Sequence, residues 1–344
     1  MNLNSFPVVR LAMTFGKNLI TRSIAAWDEF FFSRPSYLSI AIFRICLATN
    51  LFFMYAIRQL HWRFYFTSEG FLTNTQANEL MPEAFRPLVN WFPSDPSAVL
   101  GLHTVFVLVL FFLIIGIGSR VWSWVALFLH LTFLNRNYSI GYGADIISCF
   151  MLFGLALMDC DRELSVVSYF KQKRRAKIKN AGKRSAARIQ AQLRPLGSLR
   201  AMLSSLNELL SSVGVRLLQF QLCIIYGYTG LEKIKGAVWW DGSAVWEAFG
   251  NQQMNMIDLT WMSHFPLVIG LMTLTSMLFE IYFPVLIWGR RTRFLMLAFG
   301  CMLHMMIGLT LGLVFFSGAI LSAYVLFIDG KAWKQLRSFK IITT

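Results

Sequence analysis

Long apolar runs separated by charged segments dominate this chain. Each run is close to the roughly 20 residues that an α-helix needs to cross the hydrocarbon layer of a membrane. The pattern therefore predicts an all-α polytopic integral membrane bundle of about eight spans, with no extramembrane β domain. The predicted spans are residues 37–57, 98–118, 121–138, 142–159, 215–233, 265–288, 294–313 and 315–329.

Charge divides the segments between these spans into two sets. Residues 171–200 carry a dense run of lysine and arginine, and residues 290–293 are also basic. Because basic loops stay in the cytoplasm, eight spans place the loop 160–214 and both termini inside. The same topology places residues 58–97 and 236–264 outside. Four tryptophans of the second outer segment fit an interfacial aromatic belt, or alternatively a ligand cage: Trp239, Trp240, Trp246 and Trp261.

Three domains follow from this division. Residues 1–35 mix basic residues with short apolar patches and show no cleavable signal peptide, so we expect a cytoplasmic amphipathic helix on the membrane surface. Residues 36–330 form the predicted transmembrane domain, and residues 331–344 form a basic cytoplasmic tail. The expected location is a bacterial inner (cytoplasmic) membrane.

Composition excludes a soluble domain, because 56% of the residues are hydrophobic and only 14% are charged. The net charge of +15 is concentrated in one loop and the tails, so the expected partners are anionic membrane lipids and not nucleic acid. The five cysteines have neither CxxC nor metal-ligand spacing, and the histidines do not have the spacing of a haem or di-metal site. We therefore predict no metal site.

Ionisable residues inside the spans are the strongest functional signal, because charge within a bilayer is costly. Arg44 lies in the middle of the first predicted span, and we expect it to form a structural ion pair with Asp145 or Glu280. His304 has no charged neighbour in sequence. It is either hydrogen-bonded to another helix or a proton carrier.

Lys233 ends an apolar run of membrane length. Three residues share its predicted helix face and leave room for a ligand: Tyr226, Thr229 and Gly230. Glu232 points elsewhere and has Lys235 as its better partner. Lys233 is therefore predicted to be unpaired and desolvated, and a neutral amine of this kind is a general base. The alternative is that Lys233 and Lys235 extend from a helix end to lipid headgroups.

A set of short motifs occurs in order along residues 37–330. The motifs are Phe43-Arg44, Asn135–Gly143, Met158–Ser165, Tyr226–Gly242, Leu278–Glu280 and Leu303-His304. In these motifs the chain resembles the transmembrane part of vitamin K-dependent γ-carboxylases, the horizontally transferred transmembrane (HTTM) domain. The resemblance implies a membrane enzyme that binds a reduced quinone, such as vitamin K or menaquinol, with Lys233 as the catalytic base. Asn137 and His304 then join the candidate quinol pocket.

Three departures from the family pattern bear on this function. Asn137 stands where the carboxylases have a histidine, and an amide cannot exchange a proton near neutral pH. Glu232 stands where they have a second lysine. The chain also stops at Thr344, so we expect it to lack the large C-terminal domain with which carboxylases hold a substrate protein.

Two functions remain open. The first is a quinol-using enzyme that acts by oxidation, oxygenation or carboxylation. The second is a non-catalytic accessory membrane protein for the maturation or export of a secreted peptide, with a small peptide or protein as its partner. A transporter is disfavoured, because no pair of interrupted helices occurs at corresponding positions of two halves.

Overall fold

The structure is a computed structural model that describes residues 21–180, 197–251, 256–333 and 335. Within these ranges the chain is all-α and contains no β-strand, which confirms the predicted fold class. Eight helices coincide with the predicted spans: α2 (Tyr37–Leu60), α6 (Pro96–Ile115), α7 (Ser119–Arg136), α8 (Gly143–Leu157), α10 (Gly197–Lys235), α13 (Pro266–Leu286), α14 (Thr292–Thr310) and α15 (Val314–Tyr324). The other helices are α1 (21–32), α3 (Trp62–Phe66), α4 (Asn74–Leu80), α5 (Arg86–Trp91), α9 (Val166–Asn180), α11 (Ala237–Trp240) and α12 (Ala244–Gly250).

Length and composition identify the chain as an integral membrane protein. Five of the described helices are long and apolar enough to cross a membrane, namely α2, α6, the larger part of α10, α13 and α14. Helix α8 and the segment Val314–Phe327 are apolar but shorter. Helix α7 has 18 residues and carries several polar side chains, including a histidine and an arginine. All eight predicted spans are thus helical, and five of them are both long enough and apolar enough to cross a membrane.

The eight long helices run alternately up and down around one continuous hydrophobic core. Helix α2 is central and packs on α6, α8 and α15, while α10 packs mainly on α13. Both ends of the described chain lie at the same end of the bundle. The Ser212 hydroxyl donates to the Ser33 carbonyl at 2.9 Å, and the Trp333 indole donates to the Ser39 hydroxyl at 2.8 Å.

The predicted cytoplasmic loop 160–214 is helical over much of its described length. Residues 166–180 form α9, and residues 197–214 belong to α10, which continues without a break for 39 residues. Residues 197–214 contain five leucines and no proline, which favours continuation of the helix. Residues 181–196 lie outside the described part of the chain, as do residues 1–20 and 336–344 of the predicted terminal segments.

The two predicted outer segments are also more ordered than loops. Residues 62–91 contain α3, α4 and α5. Ala77 of α4 and Val89 of α5 form a small separate cluster with Leu72 and Met81, whereas Phe66 of α3 belongs to the main core. Helices α11 and α12 pack against α13. The Thr273 hydroxyl donates to the Gly242 carbonyl at 3.0 Å and accepts from the Val245 amide at 3.2 Å. This packing covers one side of the N-terminal half of α13, whereas Leu267 and Leu271 on that half are exposed.

Arg44 is fully buried, and its predicted pairing with Asp145 or Glu280 was wrong. Its guanidinium lies 3.7 Å from Asp161 and 3.3 Å from the Ser119 hydroxyl. The reason is its height in the bundle. Arg44 is in the second turn of α2, at the end where α7 begins and α8 has just ended, whereas Asp145 is in the first turn of α8 at the opposite end.

Gly116 completes the packing around Arg44. It ends α6 in a left-handed conformation with φ of 74°, and a Cβ added there would lie 1.8 Å from Arg44 Nη1. A glycine is therefore required at this position for two reasons, the backbone angle and the space taken by the guanidinium.

Gly116→Ala should lower the free energy of unfolding by at least about 1 kcal/mol from the left-handed backbone alone, and by more from the overlap with Arg44. The measurement is thermal unfolding in detergent. Gly101→Ala is the matched control in the same helix, because an added Cβ there meets nothing within 4 Å. Equal unfolding temperatures for the two variants would show that Arg44 does not occupy the space beside Gly116.

Candidate functional site

Four helices place a hydrogen-bonded set of buried side chains around Tyr226. The Tyr226 hydroxyl on α10 lies 2.6 Å from His304 Nε2 on α14, and it also bonds to the Tyr324 hydroxyl on α15. The rings of Phe279 and Phe283 on α13 pack against the Tyr226 ring at centroid distances of 5.4 and 4.3 Å. The sequence-predicted residues Tyr226 and His304 are thus in direct contact.

Tyr324 was missed by the sequence analysis. Its hydroxyl lies over Gly300 of α14, where an added Cβ would be 2.2 Å from the oxygen. The only signal in the sequence was a tyrosine within an otherwise apolar span. Since buried phenols need a hydrogen-bond partner, that signal indicated a polar contact but not its location.

Lys233 forms an ion pair with Glu280, so the prediction that its amine is unpaired was wrong. The contact exists because α10 and α13 approach closely at Gly230. A Cβ on Gly230 would lie 2.8 Å from the backbone nitrogen of Ile281, so only glycine permits this approach. The helix packing brings together two charges that are 47 residues apart in sequence.

The Lys233–Glu280 pair is half-buried. The Lys233 side chain retains 21% of its accessible surface and that of Glu280 retains 11%, so both partners are partly exposed at the protein surface. The Lys233 amine also lies 4.5 Å from the centroid of the Trp239 ring, in a cation–π contact. Trp239 is therefore part of this site.

Two buried polar atoms of the site have no hydrogen-bond partner among the described residues. These are Glu280 Oε2 and His304 Nδ1. A buried carboxylate oxygen left without a donor costs free energy, so it is poised to accept a hydrogen bond from a ligand or a water molecule. The site thus offers an ion pair, an open carboxylate oxygen and an open imidazole nitrogen beside aromatic rings.

The remaining predicted pocket residues contribute differently. The Thr229 hydroxyl donates to the carbonyls of Ile225 and Tyr226 in its own helix, at 2.9 and 3.2 Å. Asn137 is buried at the end of α7, where its amide donates to the Tyr65 carbonyl at 2.8 Å. No hydrogen bond or ion pair within the described ranges joins Asn137 to Lys233 or His304.

Glu232 and Lys235 form the predicted ion pair, at 2.7 Å. Both side chains are largely exposed, and a pair of this kind contributes little to stability. Lys235 is therefore a natural comparison for Lys233. The two lysines lie two residues apart on one helix, and only Lys233 reaches the interior.

Asp145 is paired with Arg58 and not with Arg44. Arg58 donates two hydrogen bonds to the Asp145 carboxylate, at 2.8 and 3.0 Å. A second buried chain joins this pair, because His130 bonds to the Tyr55 hydroxyl at 2.8 Å and to the Asp145 backbone carbonyl at 2.9 Å. All three predicted span charges, Arg44, Asp145 and Glu280, are thus in ion pairs, each with a partner other than the predicted one.

The described helices contain no group of three or more His, Cys, Asp or Glu residues that could hold a metal ion. The chemistry of the Lys233 site suits binding of an apolar molecule that carries a polar group. The site can exchange a proton with that polar group. Fold and site together define an all-α integral membrane protein with a charged, partly open site inside its helical bundle. Comparison with models of protein families, with curated proteins and with solved structures gives no match to the chain.

Asp145→Asn should lower the free energy of unfolding by about 3 kcal/mol, because it leaves the Arg58 guanidinium buried without its carboxylate. A second substitution, Arg58→Met, should restore part of that loss, whereas Arg44→Met should add a further loss. Thermal unfolding of the single and double variants measures the change in stability that each second substitution causes. Recovery of stability with Arg44→Met in place of Arg58→Met would contradict the observed pairing.

Proposed function

We propose that the protein is an HTTM-type membrane enzyme that binds a lipid-soluble quinol and removes its hydroxyl proton at Lys233. The observation that carries this proposal is the Lys233–Glu280 pair, which is partly open and lies inside an apolar bundle beside aromatic rings. A charged pair in such a place is costly, and intramembrane charges of this kind usually serve function. The ordered motifs shared with the carboxylase family support the same class.

Glu280 is the proton store in this proposal. In a dry site the ion pair and the neutral amine–acid pair differ only in which of the two groups holds the shared proton. When that proton moves from the Lys233 ammonium to Glu280, the neutral amine can accept the quinol hydroxyl proton. The products are a Lys233 ammonium, a Glu280 carboxylic acid and a quinolate, whose negative charge lies beside the ammonium.

The hydrophobic part of a quinol suits the surroundings of the pair. Trp239 offers a ring face beside Lys233. Aromatic rings stack favourably in offset arrangements, so Trp239 can position a quinol ring. His304 Nδ1 has no partner among the described residues, so His304 can form one further hydrogen bond.

If the protein is the proposed enzyme, Lys233→Met and Glu280→Gln should each lower the rate of quinol oxidation by about 100-fold or more, because the base or its proton store is lost. Lys233→Arg should be equally inactive, since a guanidinium keeps its charge but does not release its proton. The measurement is oxidation of reduced menaquinone or vitamin K by oxygen in membranes, with a search for the epoxide product.

Lys235→Met is the matched control, because its side chain is 69% exposed and pairs only with Glu232. It should retain activity. A fully active Lys233→Arg variant would exclude Lys233 as the base. A wild-type protein that binds the quinol but does not oxidise it would favour the accessory function in peptide maturation or export.

The proposed location is a bacterial inner membrane with the α1 end of the bundle in the cytoplasm. Helix α9 exposes a row of lysine and arginine side chains over residues 171–177, and the basic turn at 290–293 lies at the same end as α1. Basic segments of this density remain on the cytoplasmic side. Helices α3 to α5 then lie on the outer side.

Single cysteines placed at positions 75 and 177 of a cysteine-free variant test this topology. Both positions are exposed, and they lie at opposite ends of the bundle. A membrane-impermeant thiol reagent added to intact cells should label position 75 and not position 177. Labelling of position 177 from outside would reverse the proposed orientation, and lysed cells provide the control that both sites can react.

A further inference from the structure

A cavity of about 950 Å³ opens at the α1 end of the bundle. Its walls come from α1, the middle of α10, the turn between α13 and α14, and the segment that follows α15. The cavity is within the size range of pockets that hold small ligands. It is lined by five cationic side chains and only two acidic ones: Arg34, Arg216, Arg290, Arg293, Lys331, and Glu29 and Asp329.

Arg216 projects from α10 into the cavity wall. Its guanidinium donates to the Phe30 carbonyl at 2.7 Å and to the Gln219 side chain at 2.8 Å, and it lies 4.1 Å from the centroid of the Phe30 ring. No carboxylate lies within ion-pair distance of Arg216 in the described part of the chain. The guanidinium is thus held in a fixed position, and its charge is not balanced by the protein.

Two of the other cations already have partners. Arg34 pairs with Glu208 at 3.0 Å, and Arg293 lies 3.6 Å from Asp329. Arg290 and Lys331 are exposed at the rim, and neither forms an ion pair with a described residue. Arg216, Arg290 and Lys331 outnumber the one other carboxylate of the lining, Glu29, so the opening keeps a net positive charge that favours an anion.

The rest of the wall combines aromatic and aliphatic side chains with serine and glutamine side chains, and its apolar part suits the boundary of a membrane. Phe30 and Trp288 pack on each other at a centroid distance of 5.2 Å, and Leu326 and Phe327 close the side towards the core. A pocket with a cationic rim and an apolar wall matches an anionic group attached to a glycerol or similar carbon skeleton. Guanidinium groups bind phosphate oxygens through paired hydrogen bonds, which favours phosphate among the anions.

We propose that this cavity binds a phosphate-ester anion, carried either by an anionic phospholipid headgroup or by a soluble phosphate ester, with Arg216 as its central ligand. The site is separate in its residues from the Lys233–Glu280 pair and does not depend on the function proposed for that pair. A ligand bound here joins α1 and the segment after α15 to the middle of α10 and the start of α14. Binding should therefore stabilise the fold.

The test uses the full chain in detergent micelles. Thermal unfolding is followed while phosphatidylglycerol, uncharged diacylglycerol, sn-glycerol phosphate or inorganic phosphate is titrated, and native mass spectrometry counts the bound lipid. We expect a saturable rise in the unfolding temperature with phosphatidylglycerol and none with diacylglycerol. A saturable rise with sn-glycerol phosphate alone would assign the site to a soluble ester.

Arg216→Gln should weaken binding by about tenfold or more, the loss expected for a charge-assisted hydrogen bond. Arg290→Gln, at the exposed rim, should weaken it less and leave the unliganded unfolding temperature unchanged, so the test remains decisive even if Arg216→Gln disturbs α1. Lys177→Gln removes an equal charge outside the cavity and should have no effect. The proposal fails if no phosphate compound binds saturably, or if Lys177→Gln weakens binding as much as Arg290→Gln does.

Discussion

The close contact between α10 and α13 is the constraint on which the polar interior depends. At Gly230 the two helices approach so closely that any side chain on this residue would overlap the backbone at Ile281. This approach places Lys233 beside Glu280 and Tyr226 against Phe283. Helix α13 carries no charged residue other than Glu280, so the contact creates one charged position on the face where it meets α10.

Two further buried ion pairs lie at the two ends of the bundle. Arg44 with Asp161 joins the beginning of α2 to the segment after α8, and Arg58 with Asp145 joins the end of α2 to the beginning of α8. Buried ion pairs lose much of their Coulomb energy to desolvation, so their main effect is to specify which helix ends meet. The Lys233–Glu280 pair differs from them, because it retains access from outside and an unpaired carboxylate oxygen.

Glu280 changes the chemical interpretation of Lys233. A solitary desolvated amine would be a base by its environment alone, whereas an amine beside a carboxylate becomes a base only through a proton shift within the pair. In the proposed function the pair therefore couples quinol binding to proton movement. It also explains how a lysine can remain inside the bundle without a permanent uncompensated charge.

Local patterns in the sequence determined the helices, because hydropathy and helical periodicity depend on residues close together in the chain. The Glu232–Lys235 pair was predictable for the same reason, since its members are three residues apart on one helix. The partners of Lys233 and Arg44 were decided only by the tertiary structure. Each pair joins different helices, and which charges meet depends on how those helices pack and on their relative height, which no local pattern encodes.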